Sequence, residues 1–267
     1  MFMEPIYSLK NPRIKEWAAL KQKKFRNQAG QYIIEGIRLV EEAFASKVEI
    51  VHVLYGLDRP SERIDQLVEH AESLGIPIVE CTEQVLAQVA DTQTPQGIIA
   101  IAKKPEMLHS LDKVDFTKPI LCIDGIQDPG NLGTIIRTAD AVDASCVIVS
   151  SHSADPFQPK VVRSTMGSLF HMPVIELDMQ SALETLRNKG LQIFGSSSHL
   201  GHTYYEVNLQ IPHVLVFGNE AHGISEQVES YIDQWIHLPM IGKAESLNVA
   251  IAASVIMYEV TRQRLQS

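Results

Sequence analysis

Val214-Leu215-Val216-Phe217 runs straight into Gly218-Asn219-Glu220. A strand with one solvated face alternates apolar and polar residues; four consecutive apolar residues mean that both faces are covered. Such strands belong to parallel sheets with helices on each side, and ligands there sit beyond the carboxyl ends of the strands. Gly218 lets another group approach the backbone closely at that end, and Glu220 can accept from a hydroxyl or amine, or cap the next turn.

Similar runs predict strands at 120–124, 146–150, 172–177 and 191–195. Helices are expected between them at 131–142, 159–169 and 180–189, with a last, almost wholly apolar helix over 246–264. The polar stretches at 124–131, 196–199 and 218–223 all fall at strand ends and are expected to share one site. Before them lies a second α/β pattern. A basic helix over 12–29 opens on Asn11-Pro12, a cap followed by proline, and ends at Gly30. Strands at 33–34, 48–55, 76–80 and 97–102 then alternate with helices at 35–46, 61–74 and 82–90. The stretch 105–118 has charge, prolines at or beside its ends and little periodicity. The expected division is a domain at 1–104, a linker at 105–118 and a domain at 119–267.

The 267 residues carry a net charge of −9, which argues against a protein that coats nucleic acid generally. The charge is uneven. From Met1 to Arg38 eight lysines and arginines face three glutamates, a local +5 that leaves −14 for the remainder. That stretch is either a phosphate-contacting surface or a solvated helix face. No apolar run is long enough to span a membrane, and the start lacks the pattern of a signal peptide. Cys81, Cys122 and Cys146 lie in or beside apolar strand runs without paired or metal-like spacing, which suits reduced thiols in the cytoplasm. His199-x-x-His202 is the nearest approach to a ligand pair, and no metal site is expected.

Three polar constellations stand out. Asp124-Gly125-Ile126-Gln127-Asp128-Pro129-Gly130-Asn131 turns a strand into a helix, and Asn131 either caps that helix or reaches a substrate. Arg137, six residues on, is expected on roughly the same side. The second is Gly218-Asn219-Glu220-Ala221-His222-Gly223. The third runs from Leu238-Pro239-Met240-Ile241-Gly242 to Glu245-Ser246-Leu247-Asn248, polar groups at the mouth of the last helix. None is a dinucleotide-binding G-x-G-x-x-G fingerprint, which disfavours a nucleotide-dependent oxidoreductase.

In order and wording these segments resemble the SpoU (TrmH-like) branch of the SPOUT superfamily, the RNA ribose 2′-O-methyltransferases. The resemblance extends over essentially the whole chain. Lys23-Lys24-Phe25-Arg26, Glu35-Gly36-Ile37-Arg38 and Thr94-Pro95-Gln96-Gly97 resemble that family's substrate-binding domain, of ribosomal-protein L30e-like type. The resemblance implies an α/β catalytic domain with a mainly parallel sheet and a deep C-terminal trefoil knot, an exception to the rule against threaded chains. It implies S-adenosylmethionine as cofactor, contacted at Gly218, Leu238 and Leu247. It implies Asn131, Arg137, Glu220, Ser246 and Asn248 as the catalytic centre, and a homodimer with the site near the interface. Ala221 stands where many members have glycine, which matters only if φ is positive there.

The implied reaction is methylation of a ribose in structured RNA, with ribosomal RNA, 23S above all, favoured over transfer RNA. Lys23, Lys24, Arg26 and Arg38 are the expected phosphate contacts. Arg137, whose guanidinium stays charged, is expected to clamp the ribose hydroxyl and an adjacent phosphate rather than to take the proton. The alternative from another class is a knotted RNA-binding or assembly factor without catalysis; the full polar set argues against it.

Overall fold

A computed structural model describes residues 2–57, 61–105, 111 and 114–266. It contains two compact units, 1–106 with 157–170, and 107–156 with 171–267. Part of the expected linker, 106–110 and 112–113, lies outside the described residues.

The first unit holds a four-stranded mixed sheet. Its strands are β1 (Gln31–Glu35), β2 (Ile50–Gly56), β3 (Ile78–Cys81) and β4 (Ile98–Lys103), in the order β1-β4-β2-β3. β4 is antiparallel to both β1 and β2, and β3 is parallel to β2. The expected basic helix is in fact two, α1 (Pro12–Ala19) and α2 (Lys23–Ala29). Asn11 caps α1 as expected, its side chain accepting from the Arg13 N–H. The break comes at Leu20, whose side chain is buried and whose carbonyl accepts from Arg26 Nη1 at 2.8 Å. Gln22 is extended, and α2 ends where Gly30 turns left-handed at φ 62. Glu35 belongs to β1 rather than to the next helix, α3 (Ile37–Ala45), because Gly36 at φ 104 separates them. Helices α4 (Glu62–Ser73) and α5 (Glu83–Val89) complete this part.

The second unit is a seven-stranded sheet of β5 (Ile120–Asp124), β6 (Cys146–Val149), β7 (Val174–Glu176), β8 (Gln192–Ser197), β9 (His202–Thr203), β10 (His213–Gly218) and β11 (Gln234–His237). The order is β7-β6-β5-β10-β8-β11-β9, and every pairing is parallel. All six residues of β10 are buried, as its unbroken apolar run requires. Around the sheet lie α6 (Pro129–Ala141), α8 (Met179–Asn188), α9 (Glu226–Glu229) and α10 (Val249–Arg264). The chain leaves β5 toward one sheet edge and later fills the other, so the switch in strand order falls between β5 and β10.

The segment expected to be a helix of the second domain, 159–169, is a shorter helix α7 (Pro159–Ser164) and a 3-10 turn at Ser168–Phe170, and it packs in the first unit. Phe157 meets Tyr32 edge-on, and Arg163 reaches the buried Glu35 at 3.4 Å and Asp91 at 2.7 Å. Glu35 also accepts from the Asp91 and Thr92 N–H groups and the Thr92 hydroxyl, so its charge is compensated. No helix among the described residues is long and apolar enough to cross a membrane.

Candidate active site

The carboxyl ends of β5, β8, β10 and β11 come out on one edge of the second sheet, as they must when all strands are parallel. A cavity of about 620 Å³ lies there, walled by the stretches after β8 and β10, by α9, and by the loop from β11 to α10. Of the three strand-end stretches expected to share one site, 196–199 and 218–223 line the cavity; 124–131 does not, and meets it through hydrogen bonds to lining residues, Asn131 to Glu220 among them. Gly218, Leu238 and Leu247, the three residues singled out for a cofactor, also line it, as do Glu220, Ser246 and Asn248 from the catalytic set.

Gly218 closes β10 opposite Asp124 of β5. A Cβ at Gly218 would lie 2.2 Å from the Gly223 carbonyl carbon and the Ile224 nitrogen, so only glycine fits. The chain doubles back at once: the Asn219 N–H donates to the Gly223 carbonyl at 2.8 Å, and the Gly223 N–H returns a bond at 2.9 Å. Asn219 is the peg of this turn. Its Oδ1 accepts from the Ala221 and His222 N–H groups, and its Nδ2 donates to the Gly125 carbonyl at 2.7 Å. Gly223 carries the positive φ, 73, and Ala221 is not among the residues with positive φ, so alanine is unstrained there. Glu220 is thereby held exposed at the tip.

Below the turn, Asp124 is buried to 1% exposure. One carboxylate oxygen accepts from the Ser225 N–H at 2.8 Å and the other meets His152 Nε2 at 3.0 Å. It therefore ties the end of β5 to the residue before α9.

A directed hydrogen-bond chain crosses the mouth of the site. Asn248 caps α10, its Oδ1 accepting from the Ala250 and Ile251 N–H groups. With its oxygen committed, its Nδ2 donates, to Asn131 Oδ1 at 2.9 Å. Asn131 Nδ2 then donates to Glu220 Oε1 at 2.9 Å. Each amide orientation is fixed by the one before it, back to the helix cap. Asn131 is not itself a cap: Asp128 caps α6 by accepting the Asn131 N–H, with Pro129 in the first turn. That frees the Asn131 amide for the chain. Ser246 precedes the last helix, which begins at Val249 rather than at 246, and its hydroxyl makes no hydrogen bond among the described residues.

Arg137 stands apart. Six residues at about 100° each leave it roughly 120° around α6 from Asn131, not on the same side. It is exposed, absent from the cavity wall, and makes no hydrogen bond or ion pair among the described residues. Arg26 also departs from expectation. It is 2% exposed and its guanidinium is turned inward to the Leu20 carbonyl, so it is a structural residue and not a phosphate contact. Lys24, over the Phe25 ring at 5.8 Å, and Arg38 are exposed; Lys23 is half-buried. Sequence reasoning passed over Met240, which adds apolar wall, and over Asp124 and Asn219 as the props of the Glu220 turn. An acid at the end of an apolar strand is the one signal that could have pointed to Asp124.

Comparison with known proteins decides the family. Residues 118–258 match the SpoU rRNA Methylase family, more than half of the chain. The chain belongs to the SpoU rRNA methylase family. Residues 11–100 match the MRM3-like substrate binding domain, so the substrate-binding part precedes the SpoU part. Relatives of this SpoU protein include the 23S rRNA (guanosine(2553)-2′-O)-methyltransferase RlmP of Bacillus subtilis, 36% identical over 97% of this chain and 99% of that one. The 23S rRNA (uridine(2479)-2′-O)-methyltransferase of Streptomyces viridochromogenes is 30% identical over 96% and 91%. Among solved structures, the SpoU methyltransferase AviRb from Streptomyces viridochromogenes in complex with AdoMet superposes with TM-score 0.87 at 29% identity, covering 97% of this chain and all of that one. The AdoMet-bound rRNA methyltransferase from Sinorhizobium meliloti gives 0.86 at 30% identity, covering 97% of each.

Proposed function

We propose that this protein methylates a ribose 2′-hydroxyl of ribosomal RNA, in the 23S molecule, with S-adenosylmethionine as methyl donor. The observation that carries the reading is the Asn248–Asn131–Glu220 chain, which sets an oriented carboxylate at the mouth of a cavity free of lysine and arginine. A phosphate-bearing cofactor would want cations in that wall; a sulfonium does not. The glycine-only end of β10 gives a ligand access to backbone, and Leu238, Met240 and Leu247 supply apolar wall for a flat heterocycle. Gly218, Leu238 and Leu247 would hold the cofactor, which supplies an electrophilic methyl group.

The protein's own part is positioning, which carries much of the rate in an in-line displacement. Glu220 accepts from Asn131 with one oxygen and keeps acceptor capacity for a substrate hydroxyl. Ser246 adds a hydroxyl to the same cavity wall. Arg137 clamps the ribose hydroxyl and its adjacent phosphate, and the proton leaves to phosphate or water. Arg137 is outside this copy's cavity wall, so its role goes with a homodimer whose site lies near the interface. An exposed apolar stripe along α10 supports that dimer: Ile251 and Tyr258 on the helix and Leu265 at its C-cap recur every seven residues. Lys23, Lys24 and Arg38 are the proposed phosphate contacts. Three free, buried cysteines are in keeping with a cytoplasmic location.

The test is incubation of the protein and labelled S-adenosylmethionine with 23S ribosomal RNA lacking its modifications, followed by mapping of 2′-O-methyl riboses. One labelled ribose is the expected result. Label in transfer RNA alone would move the substrate, and no label at all would return the protein to a binding role.

A further inference from the structure

We infer that Glu229 makes this cavity prefer the sulfonium form of the cofactor to the thioether left after transfer; the inference rests on the S-adenosylmethionine reading above. Glu229 closes α9 and stands in the cavity wall. Its carboxylate makes no hydrogen bond or ion pair among the described residues, and no lysine or arginine shares the wall with it. The wall's other carboxylate, Glu220, is engaged by Asn131. The remaining ionisable side chains there are His199 and His222. Glu229 thus gives the cavity a negative charge that no lysine or arginine of its wall neutralises.

Methyl transfer breaks a carbon–sulfur bond whose electron pair stays on sulfur, and forms a bond from the hydroxyl oxygen to carbon. The hydroxyl proton leaves to solvent or phosphate. The bound molecule therefore loses one positive charge, and with it the attraction of Glu229. A sphere of the cavity's volume would be about 10 Å across, which sets the scale of the separation between Glu229 and a charge inside. At an intermediate effective dielectric, attraction over that range changes affinity about four- to tenfold. The same side chain thus favours entry of the charged donor and exit of the neutral product.

The test is isothermal titration of the parent and of Glu229→Gln at pH 8 with three ligands. They are S-adenosylmethionine, sinefungin, which carries an amine where the cofactor has its sulfonium, and S-adenosylhomocysteine. Glu229→Gln is expected to weaken the two charged ligands about four- to tenfold and S-adenosylhomocysteine less than twofold. Glu229→Lys widens the effect in the same direction. In the parent, added salt weakens the charged ligands alone. An equal loss for all three ligands, or no loss for any, overturns the inference while leaving the cofactor reading intact. A parent that binds none of the three overturns both.

Discussion

Asn131→Asp isolates what the hydrogen-bond chain does. The two side chains have the same shape, so the Asn248 donation to Oδ1 survives. The Nδ2 that donated to Glu220 becomes an oxygen, 2.9 Å from Glu220 Oε1. A hydrogen bond to a charged group, worth about 1.5–3 kcal/mol, is lost. Two like charges about 3 Å apart in a largely exposed setting add roughly 1.4 kcal/mol of repulsion. Together they cost about 3–4 kcal/mol, or two to three decades in rate, if the orientation of Glu220 acts in the transition state. Two carboxylates about 3 Å apart do not both stay ionised as the pH falls, and the pair comes to share a proton. With that proton in place the carboxyl donates again, as the amide did. Asn131→Asp is therefore expected to be slow at pH 8 and to recover relative to the parent as the pH falls toward 5. Asn131→Ala has no such proton and stays slow throughout. The assay is single-turnover methyl transfer from pH 5 to 9, each variant divided by the parent at the same pH. A flat ratio for Asn131→Asp, or parental activity at pH 8, refutes the argument that Asn131 works by donating to Glu220.

Four further outcomes can be checked. Gly218→Ala puts a Cβ 2.2 Å from the Gly223 carbonyl carbon and must push the Glu220 turn outward by about 1 Å; cofactor affinity measured by titration is expected to fall at least about a hundredfold, and stability in urea by about 1–3 kcal/mol. Burial holds the imidazole of His213 down to about 4 from 6.5, so the unfolded chain binds that proton more readily. Its stabilising contribution is complete above pH 6.5 and fades by about 3 kcal/mol as the pH falls through 4, a slope that denaturation of His213→Gln should lack. Lys24→Gln with Arg38→Gln should flatten the salt dependence of RNA binding by up to about two contacts, whereas Arg26→Gln should lower the melting temperature and leave the salt slope unchanged. Tyr258→Glu with Leu265→Glu should give a monomer in light scattering; a dimer that persists rules out the α10 stripe as its interface.

The fold was legible wherever one physical cause dominated a stretch. β5 begins where its apolar run does, because a strand buried on both faces is apolar, and it ends one residue past that run at the buried Asp124. α2 stops at Gly30 because the chain there turns left-handed. Legibility failed where a distant partner decided the outcome. Residues 12–29 have one helical pattern, yet the Leu20 carbonyl is taken by Arg26 and the helix breaks there. β9 has two residues and β11 four, too few for a period to register; β11 exists because β8 offers a template, and β9 because β11 does. The 159–169 stretch reads as a sheet-covering helix of its own half; Arg163 and Phe157 tie it instead to Glu35, Asp91 and Tyr32.

The site was read by residue type and misread by direction. Asn131 and Asn248 look alike as amides at helix starts, and the sequence does not tell cap from ligand. The structure divides the two roles: Asn248 caps and donates onward, while Asp128 relieves Asn131 of capping so that both ends of its amide serve Glu220 and Asn248. The rule is general for polar residues at helix starts. A side chain is free for chemistry to the extent that a neighbour satisfies the helix's own N–H groups. Asp128, three residues before Asn131, is that neighbour; Glu245 and Ser246 stand three and two residues before Asn248 without capping its helix, so only the structure tells the two amides apart. Replacing Asp128 by alanine should then cost more than a cap. The Asn131 N–H loses its acceptor, the first turn of α6 loosens, and the amide that orients Glu220 moves with it. Stability is expected to fall by about 1 kcal/mol, and activity by more than that loss alone predicts for a fully folded sample. Parental activity in folded Asp128→Ala would mean that the Asn131 amide is held by its partners across the site, and not by the helix that carries it.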